Sequence, residues 1–237
     1  MQISIIGDSW GEPNWRFPIP NYSADGHLSQ RLFRAGHTVY NSSRAGGSNL
    51  NTWSAALEQP AHRDSDLVIW FHTEITRDMR PPHQNWRYEE ELSQVAHTVY
   101  RKCRDSFKAL FPKAQLWVIE GQAPTVKPHF YQWFNPRFYT PDWRSELIGI
   151  QLPPTQLVGS LSREDFFKGS ADTLKDRSKW TGEVEHILKR MRECNYFTDN
   201  CHPNDVAHEL LFQRAEEIIQ ECILEPTSHK QIQEQAK

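Results

Sequence analysis

Four short stretches rich in apolar and β-branched residues punctuate the first half of the chain. Each is followed by glycine or by small polar and charged residues, which is how a buried strand ends in a loop. The third stretch, 66–72, is almost continuously apolar, as is typical of a central parallel strand covered on both faces. We therefore predict strands at residues 2–6, 37–41, 66–72 and 115–120.

Apolar residues recur at helical spacing between and after these strands. The longest such segment, 89–110, has one apolar face suited to covering a sheet. We predict helices at residues 23–35, 51–57, 89–110, 178–194 and 204–223. Strands that alternate with helices in this way indicate an α/β domain with a mostly parallel sheet.

The alternation stops after Gly121 for about sixty residues, which is longer than an ordinary connection. We interpret residues 122–180 as an insertion, and its first half is dense in aromatic rings: Phe130, Tyr131, Trp133, Phe134, Phe138, Tyr139 and Trp143. The rings either surround a cleft suited to a sugar face or an acyl chain, or form a satellite core under a long loop. Residues 1–225 then form a single domain, and residues 226–237 a polar tail.

Composition narrows the classes of function. A chain of 237 residues suffices for one substantial core, and a net charge of −3 argues against a nucleic-acid partner, which needs a concentrated basic face. No apolar run reaches the ~18 residues that span a membrane, and no secretory signal is visible, so we expect a cytoplasmic protein with no membrane partner. The four cysteines show no CxxC pairing, which fits reduced thiols, although a pairing of Cys194 with Cys201 stays open.

The end of the first predicted strand reads Gly7-Asp8-Ser9-Trp10-Gly11. Ser9 is therefore expected at the carboxyl edge of the sheet, where open α/β sheets bind their ligands. Two interpretations follow. Asp8 and Ser9 cap the turn, as these residue types often do, or Ser9 is a nucleophile.

Polar residues also follow the second and third predicted strands. Residues 42–49 contain Gly46 and several small polar side chains, so they either offer backbone N–H groups to an anion or form an ordinary turn before a helix. Thr73 and Glu74 follow the third strand at the same edge, and Arg77 with Asp78 is interpreted as a structural brace.

The loop before the last predicted helix contains Asp199 and, three residues later, His202. An aspartate at this spacing can reach Nδ1 of the imidazole, which leaves Nε2 free to take a proton from a serine. A metal site formed by His72, Cys201 and His202 matches no usual zinc spacing, so we expect no metal and no cofactor. His62 and His208 are interpreted as ordinary surface or helix residues.

With Ser9 after the first strand and Asp199 and His202 before the last helix, the chain resembles the SGNH or GDSL hydrolase superfamily. The resemblance implies a flavodoxin-like three-layer α/β/α sandwich, with the aromatic-rich segment as an insertion. It implies that Ser9, Asp199 and His202 form the catalytic triad. Asn41 followed by Gly46 matches a further block of that family, and the Ser9 and Gly46 N–H groups are then expected to form most of the oxyanion hole.

One block departs from the family pattern. The family usually has Gly-x-Asn after the third strand, where the Asn side chain donates to the oxyanion, and this chain has His72-Thr73-Glu74. An ionised Glu74 cannot donate, although some carbohydrate-esterase branches of the superfamily resemble this chain in having Glu there. Asn49 or Thr73 is expected to supply the donor. Asp8 and Glu74 are further candidates for contact with the oxyanion or the substrate.

The resemblance implies a serine ester hydrolase acting on a small-molecule or carbohydrate ester. The acidic balance and the aromatic rings favour a small acyl group such as acetyl, and a lipid or thioester acyl chain stays open. The alternative is a catalytically degenerate member of the fold that binds a ligand or has a structural role.

Overall fold

In the part of the chain that the structure describes, five parallel strands form one sheet. The structure is a computed structural model, and it describes residues 1–13, 23–73, 75–78, 88–120, 127–141, 143–148, 193–197 and 202–224. The strands are β1 (Gln2–Gly7), β2 (Thr38–Asn41), β3 (Leu67–His72), β4 (Gln115–Glu120) and β5 (Phe138–Thr140). Their order is β2-β1-β3-β4-β5, with every neighbouring pair parallel. This is the flavodoxin-like strand order.

Helices cover both faces of the sheet. They are α1 (Leu28–Arg34), α2 (Asn49–Leu57), α3 (Tyr88–Leu110), α4 (Lys127–Trp133), α5 (Trp143–Ile148) and α6 (Asp205–Leu224). Short 3-10 helical turns occupy Ala24–Gly26, Pro60–Asp64 and Ile75–Asp78. Residues of α1, α5 and α6 pack in one core cluster, and residues of α2, α3 and α4 pack in the other. The predicted three-layer α/β/α fold is confirmed.

The alternation of side chains along β1 and β3 divides the core between the two faces. Ile5 and Ile69 join the cluster that contains α1 and α6, whereas Ile6 and Trp70 join the cluster that contains α2 and α3. Successive residues of a strand point to opposite faces, so a sheet covered on both sides needs apolar residues at both. The continuous apolar character of the third stretch follows from this position at the centre of the sheet.

The predicted stop in the alternation after Gly121 is wrong for the residues that the structure describes. Helix α4 follows β4, and β5 then pairs with β4 in parallel, so the α/β pattern continues to the end of α5. The buried rings of this segment belong to the main core and not to a satellite one. Phe130 packs against Trp70 and Tyr100, whereas Phe138 is in the opposite cluster. Residues 149–192 lie outside the described ranges.

Several histidines are buried, which corrects the interpretation of His62 and His208 as ordinary surface or helix residues. Both are at most 1% exposed. Two serine hydroxyls are hydrogen-bonded to the ring of His62: Ser4 Oγ lies 2.6 Å from Nδ1, and Ser42 Oγ contacts Nε2. Because hydroxyl groups donate or accept as required, this network satisfies a neutral ring at both nitrogens. It joins β1 to the residue that follows β2.

Three further expectations concern the surroundings of the protein. Among the described helices, none combines the length and the apolar character that crossing a bilayer requires. Cys103 and Cys222 are free thiols, and Cys201, the possible partner of Cys194, lies outside the described residues. The predicted polar tail at 226–237 also lies outside them.

The buried histidines predict a loss of stability in mild acid. Burial lowers the pKa of His62 and of His72 from 6.5 to about 4, and that of His27 to about 3. Between pH 6.5 and 4 these histidines bind protons in the unfolded chain but stay neutral in the folded chain. The free energy of unfolding therefore falls as the pH falls. We expect full stability above pH 6.5 and a decline of up to ~1.4 kcal/mol per pH unit for each such histidine.

Urea unfolding at a series of pH values from 4 to 8 measures this decline. His62→Gln, which does not titrate, should be less stable at neutral pH and should show a shallower decline than the native chain. An identical pH dependence for the two proteins would contradict the assignment of His62.

Candidate active site

The chain leaves β1 through a glycine that no other residue can replace without strain. Gly7 has φ of +152°, and a Cβ there would lie 2.5 Å from Cβ of Phe71 on the adjacent strand β3. Gly7 and Phe71 are register partners on neighbouring strands, so the loop after β1 begins level with the end of β3. The close approach puts Ser9 at the carboxyl edge of the sheet, level with the residues that follow β3.

The two interpretations of Asp8 and Ser9 separate in the structure. Asp8 shapes the turn: its Oδ1 accepts from the Trp10 N–H at 2.9 Å, and its carbonyl accepts from the Gly11 N–H at 3.1 Å. Ser9 has a different partner, because its Oγ lies 3.2 Å from Nε2 of His202. Asp8 therefore caps the turn, and Ser9 contacts a histidine from a distant part of the sequence.

His202 lies immediately before Pro203 and α6. Phe197 and Pro203 form an antiparallel bridge, so the chain beside His202 is paired with the chain at Phe197. Asn204 adds to this pairing: its N–H donates to the Tyr196 carbonyl at 2.8 Å, and its Nδ2 donates to the Asn195 carbonyl at 2.7 Å. Its Oδ1 also caps α6, by accepting from the N–H groups of residues 206 and 207.

The contact between Ser9 and His202 has the geometry that a nucleophile and its base need. At 3.2 Å it is at the long end of hydrogen-bonding distance, as is common for catalytic pairs without substrate. Ser9 is 5% exposed and His202 is half-buried, so the pair is sheltered but lies at the sheet edge. Asp199, the predicted third member, lies outside the described residues, as does Glu74.

Gly46 belongs to the loop that follows β2. It has φ of +68°, a left-handed conformation that favours glycine, and nothing lies within 4 Å of the position of a Cβ. The loop containing Gly46 is bonded to the loop containing Ser9, because the Arg44 N–H donates to the Gly7 carbonyl at 3.0 Å. The N–H of Ala45 also donates to the Glu12 carboxylate. No motif in the sequence signals this role of Glu12.

The side chain of Asn49 holds the backbone of Thr73, the residue that follows β3. Oδ1 of the Asn49 side chain accepts from the Thr73 N–H at 3.1 Å, and Nδ2 donates to the Thr73 carbonyl at 3.0 Å. Its second amide hydrogen goes to Asp78, whose carboxylate also accepts from the N–H groups of Asn49 and Leu50. Burial raises the pKa of Asp78, and the N–H donors oppose that rise. Asp78 holds the start of α2, and the side chain of Arg77, the other member of the predicted brace, lies outside the described residues.

These contacts distinguish the two candidate donors. Both amide hydrogens of Asn49 are engaged, with the Thr73 carbonyl and with Asp78. The Thr73 hydroxyl is buried, at 1% exposure for the residue, and Oγ1 has no hydrogen-bond partner in the part of the chain that the structure describes. Of the two candidate donors, Asn49 and Thr73, only the Thr73 hydroxyl thus stays available.

His72 and His202 face different partners. Nε2 of His72 is 3.0 Å from the Tyr100 hydroxyl, deep under α3, whereas Nε2 of His202 faces Ser9. Within the described ranges no three His, Cys, Asp or Glu side chains are grouped closely enough to hold a metal ion. The structure therefore does not bring His72 and His202 together.

Comparisons with known proteins add a likeness of fold. No protein-family model and no curated protein matches the sequence. Solved structures resemble the chain, among them the psychrotrophic esterase EstA from Pseudoalteromonas sp., at 11% identity and a TM-score of 0.45, covering 94% of this chain and 98% of that one. The acetyl xylan esterase AlAXEase has 13% identity and a TM-score of 0.40, covering 92% and 100%. AlinE4, an SGNH-hydrolase family esterase, has 16% identity and a TM-score of 0.34, and the match covers 81% of this chain and 93% of that one.

The likeness is one of fold. The SGNH family to which AlinE4 is assigned is the one that the sequence motifs resemble. At these identities and TM-scores no residue role passes from those proteins to this chain. The assignment of each side chain therefore rests on the contacts described above.

Asn204 provides a test of how the His202 loop is held. Asn204→Ala removes the helix cap and the bond to the Asn195 carbonyl, and should lower the free energy of unfolding by about 1–3 kcal/mol. Asn204→Asp keeps an acceptor for the cap and loses only the Nδ2 donor, so it should cost less. Urea denaturation measures both variants. Equal losses in the two would show that the cap contributes nothing.

Proposed function

We propose that the protein is a serine ester hydrolase. Ser9 attacks the acyl carbonyl, His202 takes the Ser9 proton and returns it to the leaving alcohol, and water then resolves the acyl-enzyme. The observation that carries the proposal is the 3.2 Å contact between Ser9 Oγ and His202 Nε2, at the carboxyl edge of a flavodoxin-like sheet. We assign Asp199 to orient His202, on the strength of its spacing in the sequence.

The oxyanion formed in the first step needs donors fixed before the substrate arrives. We assign two of them to the backbone N–H groups of Ser9 and Gly46, whose loops are hydrogen-bonded to each other. We assign the third to the Thr73 hydroxyl. Gly7 and Phe71 are register partners, so Ser9 and Thr73 each lie two residues beyond a matched pair of positions. The buried Oγ1 of Thr73 is available, whereas the Asn49 amide is not.

The packing beside the nucleophile favours a small acyl group such as acetyl. Trp10 follows Ser9 directly and is 1% exposed, with its ring edge-on to Trp143 at 5.4 Å and near Phe197 at 6.1 Å. We take this packed aromatic cluster, which begins at the residue after Ser9, to limit the room for a long acyl chain. The alcohol part of the ester is proposed to be a small molecule or a carbohydrate. No cofactor is needed for this chemistry.

A fluorophosphonate probe tests the nucleophile without knowledge of the substrate, because it reacts with serines that a neighbouring base activates. Intact-mass measurement should find one adduct on the native chain and none on Ser9→Ala. His202→Gln should label more slowly, by about 10²-fold or more, since the serine loses its base.

A series of 4-nitrophenyl esters then measures acyl preference, and turnover should fall steadily from acetyl to decanoyl. Rising turnover with chain length would replace the small-acyl assignment by a lipid one. A folded native chain that forms no adduct would instead favour the catalytically degenerate alternative, in which the fold binds a ligand without turnover.

Thr73 makes a prediction in which stability and activity change in opposite directions. Thr73→Val replaces a buried, unsatisfied hydroxyl by a methyl group, so the melting temperature should stay the same or rise. If the hydroxyl serves the oxyanion, kcat should fall by about 10²-fold with KM little changed. Thr73→Ser keeps the hydroxyl and should recover most of the loss. Unchanged kcat in Thr73→Val would exclude Thr73 as the third donor.

A further inference from the structure

Two loops at the carboxyl edge of the sheet are joined at three points. The nucleophile loop, residues 8–12, follows β1, and the glycine loop, residues 42–47, follows β2. The Arg44 N–H donates to the Gly7 carbonyl at 3.0 Å, at the base of the nucleophile loop. The other two points of attachment use side chains, those of Asn41 and Glu12.

Asn41 connects the two loops through both ends of its amide. Its Nδ2 donates to the Gly11 carbonyl at 2.7 Å, and its Oδ1 accepts from the Ser43 N–H at 2.9 Å. A primary amide has a donor and an acceptor, and each is directed here to the backbone of a different loop. Asn41 itself is held by the sheet, because it pairs with Ile5 of β1 and ends β2.

Glu12 forms the third attachment, and here the side chain comes from the nucleophile loop and the backbone group from the glycine loop. The Glu12 carboxylate accepts from the N–H of Ala45, the residue before Gly46. Little free space separates the loops: a Cβ on Gly11 would contact the side-chain oxygen of Ser43 and would lie 2.8 Å from Cδ2 of Phe71. The two loops are thus packed as well as bonded.

We propose that Asn41 and Glu12 are positioning residues that fix the spacing between the Ser9 and Gly46 N–H groups, and thereby the width of the oxyanion hole. Neither side chain needs to touch the substrate for this role. The inference rests on the proposed function, because it concerns the same two donors. The donors come from separate loops, so the bonds between the loops set their separation.

The chemical reason is that donors aimed at an oxyanion act only when their spacing matches the tetrahedral intermediate. A misplacement of ~1 Å at a reacting centre costs about 10²-fold in rate. An interaction that matters in the transition state and not in the ground state appears in kcat and leaves KM unchanged. Loss of the loop attachments should therefore have this kinetic signature, which a purely structural defect does not produce.

The experiment compares variants that remove one hydrogen bond at a time, with an activated acetyl ester as substrate. Asn41→Asp keeps the acceptor for the Ser43 N–H and loses the donor to the Gly11 carbonyl. Glu12→Ala removes the acceptor for Ala45, whereas Glu12→Gln keeps a carbonyl oxygen there and removes only the charge. Asn51→Asp makes the same chemical change as Asn41→Asp at an exposed position on α2 and is the matched control.

We expect kcat to fall by about 10- to 100-fold in Asn41→Asp and by a smaller factor in Glu12→Ala, with KM within about twofold of the native value. Glu12→Gln should lose less kcat than Glu12→Ala, and Asn51→Asp should retain native kcat. Every variant should still form the fluorophosphonate adduct at Ser9. Melting temperatures verify that each variant is folded, and Glu12→Ala, which changes an incompletely buried side chain, serves the test if Asn41→Asp does not fold.

Two results would overturn the inference, and they are distinguishable. If the native chain turns over the ester and labels at Ser9 while Asn41→Asp and Glu12→Ala keep native kcat, the loops need no side-chain attachment and the proposed function stands. If the native chain neither labels nor turns over any ester, the proposed function fails and the inference fails with it.

Discussion

The parallel pairing of β1 with both β2 and β3 is the constraint on which the rest of the site depends. Three strands in this arrangement end at one edge, so the residues that follow Gly7, Asn41 and His72 come together although they are far apart in the chain. The hydrogen bonds between these loops join backbone to backbone, or one side chain to backbone. Among the described residues, His202 comes from much later in the chain and contacts Ser9 from the segment just before the last helix.

The local pattern of apolar and polar residues predicted those strands and helices whose burial follows one regular pattern from end to end. β4 was predicted to the residue, and β3 and α3 were predicted to within one residue at each end, because a strand buried on both faces and a helix with one apolar face have distinct periodicities. β5 was missed. It has only three residues, and its aromatic side chains fit a loop as well as they fit a strand. A strand this short belongs to the sheet because it pairs with β4 and not because of its own sequence.

The candidate site could be predicted as far as its motifs extend. Ser9 and His202 come from spacing and order, and the structure brings them into contact. The choice between Asn49 and Thr73 was beyond the sequence, because it depends on Asp78 consuming the second amide hydrogen of Asn49. Glu12 carries no signal, since a single carboxylate in a loop is ordinary. Burial of His62 was equally hidden, because three serines from separate segments surround it.

The His62 network shows that a serine hydroxyl beside an imidazole does not by itself mark a nucleophile. Ser42 and His62 are hydrogen-bonded, as Ser9 and His202 are, and both members of the Ser42–His62 pair are almost completely buried. The two pairs differ in the exposure of the histidine: His202 is half-buried at the strand ends, whereas His62 is fully buried between a strand and a 3-10 turn. In this fold, a serine beside a histidine identifies a nucleophile only when a path from solvent reaches it.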